Sequence, residues 1–477
     1  MQPKNLRFGG GGETFVTPTA LVLIAIAILL ILLLRRKYVI VPFLAAALAI
    51  PLGQVVVVAG LHFMMLRILV LAGWARVLAD KLLGRKEETK WRLNLLDKVF
   101  MLLAISSASA MTLLFMNTGA LINNLGFLFN AFGIYFLLRH LIRDAEDVKR
   151  TIKILAVVSV VFAASMVNEQ LTGRNWFGLL GGVQLITAIR EGRLRSQGPF
   201  AHPIIAGCFG ATLVPLCVGL WALGKKCKKY ALAGILSGLV ITITSASSTP
   251  ALALVAGIGA LCLWPIRGKM RWIRWGIVLA LVSLQMVMKA PVWALISRVG
   301  VVGGSSGWDR YNLVNQCIMH FKDWWLVGTN QYPSWGWSMW DLCNDYVAEA
   351  ERGGLLTFVL FIGLLTMALE AVGRARKQFE GYFQSEFFIW AIGCALFAHM
   401  AAFFGISYFD QMIVVWYALL AIILAVPVGL SELDSEAPQV SAPISRWSLQ
   451  PAGGNRFTTC VSRASERFLF REKEESP

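Results

Sequence analysis

From Thr19 to Leu430 the chain alternates long apolar runs with short clusters of Lys and Arg. A helix crosses the hydrocarbon core of a bilayer with about 20 mostly apolar residues. Runs of that order occur at 19–34, 38–58, 61–78, 97–116, 119–141, 152–171, 203–223, 230–246, 249–266, 275–293, 354–372, 386–406 and 408–430. They predict an all-α polytopic integral membrane protein with about 13 transmembrane helices. The composition agrees: 57% of residues are hydrophobic and 15% charged, where a soluble chain carries closer to about a quarter charged residues.

The formal net charge of +17 does not form a basic face of the kind that nucleic acid requires. It falls between the apolar runs, in Arg35-Arg36-Lys37, Arg76 to Arg92, Arg139 to Lys153, Lys225 to Lys229, Arg267 to Arg274 and Arg374 to Lys377. The alternate connections are short or poor in Lys and Arg, apart from two long loops. Basic connections stay cytoplasmic, so the parity predicts an outer N-terminus and a tail inside. The first run ends in Arg35-Arg36-Lys37 rather than in a small-residue cleavage site, so it is read as a span and not as a signal peptide. The tail, Ser431 to Pro477, is rich in Ser, Glu, Arg and Pro and reads as a disordered cytoplasmic extension.

Two outward loops, at 172–203 and 291–352, exceed the length of simple connectors. The first carries Arg190, Arg193, Arg195 and His202. The second carries Arg310, His320, Asp341, Cys343, Asn344 and Asp345, with Trp308, Trp324, Trp325, Trp335, Trp337 and Trp340 as a platform suited to sugar rings. Arginine on the side that disfavours positive charge calls for a reason, and its planar fork of donors suits phosphate or carboxylate. Arg67, read as about six residues inside a span, joins them as a charge in the membrane with a functional role. Asn123, Asn124 and Asn130 read as contacts between helices. The five histidines have no metal-ligand spacing, so no metal or cofactor is expected. Cys317 and Cys343 share the large loop, where an oxidising compartment allows a disulfide.

Three stretches together resemble the O-antigen ligase and O-antigen polymerase superfamily of bacterial envelope enzymes. Arg195-Ser-Gln-Gly-Pro-Phe-Ala-His-Pro203 is similar to that family's Arg-x-x-Gly-x-Phe-x-x-Pro approach to a helix. Thr244-Ser-Ala-Ser-Ser-Thr-Pro-Ala-Leu is similar to its Thr-x-Ser-Arg-Gly turn, with Ser248 where Arg is usual. In the large loop, Arg310 precedes Asp323-Trp-Trp-Leu-Val-Gly328, and Cys343-Asn-Asp-Tyr-Val runs on to Gly354 like the family's His-Asn-x-Tyr-Leu ending. The resemblance covers roughly 165–430, after N-terminal helices at 1–164 and before the tail at 431–477.

The resemblance implies a GT-C-like multi-span glycosyltransferase frame in a bacterial inner membrane, with a large outward loop. It implies metal-independent transfer from an undecaprenyl-diphosphate-linked glycan on the periplasmic side, in company with a chain-length regulator or other polysaccharide-assembly proteins. Without a metal, the charge developing on the lipid diphosphate must meet preorganised cations. Arg195 and Arg310 match the family's arginines, and Arg193, Arg67 and Asn344 are further candidates for substrate binding. Cys343 stands where the ligases have a histidine base, and a thiol is a poor base at neutral pH. His320, Asp341 and Asp345 are the nearest candidates for that role. This departure favours a polymerase of O-antigen or exopolysaccharide repeat units over a ligase acting on lipid A core. A transporter or flippase of lipid-linked glycan is the alternative of another class. Transporters usually place charges near the midplane, whereas Asp97, Glu169, Glu370 and Asp410 lie near span ends.

Overall fold

The computed structural model describes residues 15–51, 53–58, 61–84, 93–298, 306–337, 339 and 341–430. Trp340, residues 85–92 of the basic connection that begins at Arg76, and the tail 431–477 lie outside them. Among the described residues the chain is mostly helical, and eight helices are long and apolar enough to cross a membrane. Numbered in chain order, α1 is Pro18–Leu33, α2 Arg36–Ala49, α3 Met65–Leu82, α4 Leu95–Phe115, α5 Thr118–Leu141 and α6 Ala145–Thr172. Then come α7 Pro203–Ala222, α8 Lys225–Thr244, α9 Ser248–Cys262 and α10 Met270–Val287. The large loop contributes α11 Ser306–Met319 and the single turn α12 Phe321–Trp324, before α13 Asp345–Gln378, α14 Phe383–Ala402 and α15 Met412–Ala425. The eight are α4 to α8, α10 with the short 3-10 helix before it, α13 and α14.

Contacts between connections separate into two ends, and the separation follows the charge parity. At one end Arg36 pairs with Asp147 at 3.0 Å, Arg139 with Asp97 at 3.3 Å, and Arg267 and Arg376 each with Glu386 at 2.7 Å. At the other end Ser196 N–H donates to Thr244 O at 3.1 Å, Ala201 N–H to Asp410 at 2.7 Å, and Asp345 N–H to Phe403 O at 2.8 Å. The basic clusters therefore gather opposite the two long loops.

The second and third runs differ from the sequence expectation. α2 stops at Ala49, and Val55–Val58 (β1) pairs antiparallel with Leu61–Met64 (β2). Both segments are apolar, and an apolar run of this length reads alike as strand or buried helix. Arg67 is thus the third residue of α3 rather than six residues inside a span. Its guanidinium donates to His62 O at 2.6 Å and to Asn130 Oδ1 at 3.0 Å, tying α3 to α5.

A single apolar core runs through the bundle, with a satellite core beneath the large loop formed by Leu313, Cys317, Trp324, Trp335, Met339 and Val347. Cys317 belongs to that satellite, whereas Cys343 packs on the main core. The two thiols are free and the expected disulfide is not formed. α13 changes direction at Gly354 (φ +73°), where a Cβ would stand 2.7 Å from Leu326 O. A side chain there would clash with backbone and strain the left-handed conformation. The outer piece of α13 carries the loop, and the longer piece enters the bundle.

Candidate functional site

The site forms around the turn Thr244–Thr249, which joins α8 to α9 at the end bearing the long loops. Ser247 occupies the cap position of α9 but makes no capping bond. Its hydroxyl instead accepts from Arg195 Nη2 at 2.6 Å and donates to Ser245 O at 2.9 Å. Two residues on, Thr249 Oγ1 accepts from Arg310 Nη2 at 2.6 Å and donates to Gly405 O at 3.2 Å. Two guanidinium groups from distant parts of the chain are thereby fixed beside the first turn of one helix. That turn presents backbone N–H groups and the positive end of the helix dipole.

Both arginines are 8% exposed, and among the described residues neither takes part in an ion pair. Among the described residues Arg195 Nε is buried without a hydrogen-bond partner. Burial, then the charge of Arg190, pull the pKa of Arg195 down; burial does the same for Arg310, with Cys343, Cys208 and Asp309 opposing and Arg190 adding to it. A buried cation without a counter-charge is costly, and an anion between the two would relieve the cost.

Arg195 ends a hairpin in which Ala188–Arg190 (β3) pairs with Arg193–Arg195 (β4). Arg190 lies opposite Arg193, so cross-strand pairing and the two-residue period put Arg190, Arg193 and Arg195 on one face. Arg190 and Arg193 are exposed, and it is Arg190 whose charge acts on Arg195, Arg310 and His202. Sequence reasoning chose Arg193 over Arg190; the strand register puts both on the face of Arg195.

Two carboxylates that form no ion pair among the described residues hold the segment between Arg195 and α7. Glu169, at the end of α6, accepts from Gln197 N–H at 3.0 Å and Gly198 N–H at 2.7 Å. Asp410, before α15, accepts from Ala201 N–H, while Gln411 donates to Pro199 O at 2.9 Å. Glu169 and Asp410 lay at span ends in the sequence, and the fold uses them to fix the loop that aims Arg195. His202 caps α7: its Nδ1 accepts from Ile204 N–H at 3.2 Å. Burial first, then Arg195 and Arg190, pull the imidazole down to about 4 against the opposing charge of Asp341.

The candidates from the large loop divide. Asp341 is exposed, and its charge acts on both His202 and Cys343. Burial and that carboxylate push the Cys343 thiol up to about 12, so it stays protonated at neutral pH. His320 lies elsewhere: ten residues along α11 from Arg310 is about 15 Å. Its Nδ1 meets Asp323 at 2.9 Å and its ring stacks on Trp335 with centroids 4.7 Å apart. Asn344 caps α13, accepting from Val347 N–H at 3.2 Å, and is 1% exposed. Asp345 is buried in the first turn of the same helix, near Ser407 and Tyr408. Arg67 bonds to His62 and Asn130, as described above. Of the six loop tryptophans, Trp324 and Trp335 are core, Trp308, Trp325 and Trp337 are exposed, and Trp340 is outside the described residues.

From Arg310 a groove of about 750 Å³ runs between α9, α13 and α14. Leu252, Ala256, Phe358, Ile362, Leu365 and Phe397 are among its walls, and Arg310 is the one charged residue that lines it among the described residues. The surface of this trough is almost wholly apolar and suits an apolar chain, with the Arg310 guanidinium turned to Thr249 at its edge. No model of a known protein family matches the chain, and no curated protein matches it.

Proposed function

We propose that this chain is a metal-independent membrane glycosyltransferase. In this reading it polymerises undecaprenyl-diphosphate-linked oligosaccharide repeat units on the periplasmic face of a bacterial inner membrane. The observation that carries it is the pair Arg195 and Arg310, buried at the first turn of α9 with no ion pair among the described residues, Arg310 standing at an apolar groove. The two arginines, the α9 terminus and the exposed Arg190 hold the diphosphate, and the groove takes the start of the isoprenoid chain. The acceptor hydroxyl attacks the anomeric carbon, and the bond from that carbon to the diphosphate oxygen breaks. The electron pair leaves with the lipid diphosphate, whose growing charge the guanidinium groups meet. Asp341 takes the acceptor proton, since the Cys343 thiol is held protonated beside it.

The thirteen crossings belong to the same reading: α1, α2, α3, α9 and α15 add five to the eight longer helices. α1, α9 and α15 are apolar but short, so they cross where the bilayer thins or neighbouring helices cover their ends. The GT-C-like frame rests on the resemblance.

A deletion strain tests the function. Single repeat units on the acceptor are the expected product of losing a polymerase. Unattached polymer would assign the chain as a ligase instead, and lipid-linked units trapped inside would assign a flippase.

A further inference from the structure

We propose that His202 binds the leaving diphosphate as a neutral hydrogen-bond donor, presenting Nε2–H from the cap of α7 beside Arg195. The inference rests on the transferase reading and extends it to a residue that the chemistry above leaves unused. It starts from the capping bond. A backbone N–H can only donate, so Nδ1, which receives Ile204 N–H, must carry a lone pair. In the neutral ring the single proton is then on Nε2, at the opposite edge from α7. A ring fixed in that tautomer cannot take a proton from an acceptor hydroxyl at Nε2, because Nε2 already holds one. His202 is therefore unsuited to be the base and suited to donate to an anion.

The surroundings agree with a donor. The charged groups acting on His202 are Arg190 from β3, Arg195 from β4 and Asp341 from the segment before α13. Two cations against one carboxylate, with burial, hold the ring neutral at physiological pH. The segment that sets its position is fastened on both sides, by Glu169 to Gln197 and Gly198 and by Asp410 to Ala201. His202 and Arg195 thus stand at the two ends of one clamped loop of preorganised donors. A fixed donor to a charged acceptor is worth more than one to a neutral acceptor.

Two variants separate donation from capping. His202→Ser keeps a good helix cap but is too short to reach the anion. His202→Gln caps poorly but retains an N–H donor and cannot act as a base. Wild type and variants are placed in nanodiscs, and undecaprenyl diphosphate binding is followed by tryptophan fluorescence at pH 6 and pH 8. The expected result is binding about ten-fold or more weaker in His202→Ser and within about three-fold of wild type in His202→Gln. The ratio of wild type to His202→Ser should be the same at both pH values, since a neutral donor loses no proton between them. Equal weakening in both variants, or a ratio that shrinks at pH 8 as a cationic imidazole requires, would overturn the proposal. Arg195→Ala and Arg310→Ala are measured alongside. If they lose binding while His202→Ser does not, only the role of His202 falls. If all bind as wild type does, the diphosphate site itself falls.

Discussion

Arg310 Nη2 donates to Thr249 Oγ1 at 2.6 Å across 61 positions of sequence, and this bond brings the large loop to the first turn of α9. The same hydroxyl is fixed by its own donation to Gly405 O, so the acceptor that aims the guanidinium is itself held in place. Removing the charge should be far more harmful than loosening its aim. Arg310→Ala is expected to abolish long-chain glycan, with a loss of about 10²–10³ in rate, while membrane levels stay normal by immunoblot. Arg310→Lys should recover little, because an ammonium cannot reproduce the planar fork. Thr249→Val, which keeps shape and removes the hydroxyl, should retain partial activity. A normal glycan ladder in Arg310→Ala would remove the clamp from the mechanism.

The uncompensated pair Arg195 and Arg310 also predicts anion-linked stability. A ligand that binds only the folded protein adds RT ln(1 + [L]/Kd), about 2.7 kcal/mol at a hundred times Kd. Undecaprenyl diphosphate should raise the melting temperature of the wild type in detergent. Arg195→Ala should melt no lower than wild type without ligand, since a buried unpaired charge is lost, and should gain little from the ligand. An equal ligand-induced rise in that variant would place the binding elsewhere.

Asp410 supplies a pH dependence with a definite sign. Burial pushes its carboxyl up to about 6, against the opposing hydrogen bonds from Ala201 and Gln411. A folded-state value above the unfolded one, about 3.9, means that the ionised form costs stability. The cost is present in full above about pH 6 and is relieved as pH falls from about 6 toward 4. Its ceiling is about 3 kcal/mol, reduced because the residue is partly exposed. Asp410→Asn keeps an acceptor for Ala201 and tolerates the left-handed backbone at this position (φ +59°). It should melt higher than wild type at pH 7.5 and equal to it near pH 4.5. A melting difference that does not change with pH would contradict this.

Asn344 is expected to matter to folding more than to chemistry. Its side chain caps α13 and is almost wholly buried. Asn344→Ala should cost about 1 kcal/mol and lower the amount of folded protein. Asn344→Asp or Asn344→Ser should preserve both the cap and the activity per folded molecule. Loss of activity in a well-folded Asn344→Ser protein would return this residue to the substrate site.

Which connections share an end of the bundle was legible in the sequence from Lys and Arg alone: Arg36 pairs with Asp147, Arg139 with Asp97 and Arg267 with Glu386 at the same end. Arg195 and Arg310 were legible as out-of-place charges, and the structure brings them to the same turn. What lay beyond reach were features set by tertiary contact. The β1–β2 hairpin hides in an apolar stretch whose pattern suits either helix or strand, and it displaced Arg67 into a link between α3 and α5. Arg190 gains its place from strand register, which spacing alone does not reveal. His320 looked close to the site along the chain, but the helix between it and Arg310 holds the two apart.

The turn of α13 at Gly354 leaves a seam in the molecule. Outside that residue the helix supports the loop with Trp335, Trp337 and Asp341; beyond it, Phe358, Ile362 and Leu365 line the groove. A continuous rod would pass every shift in the loop down to the trough. With the axis broken at one small residue, the loop can shift or drift in sequence while the trough keeps its shape.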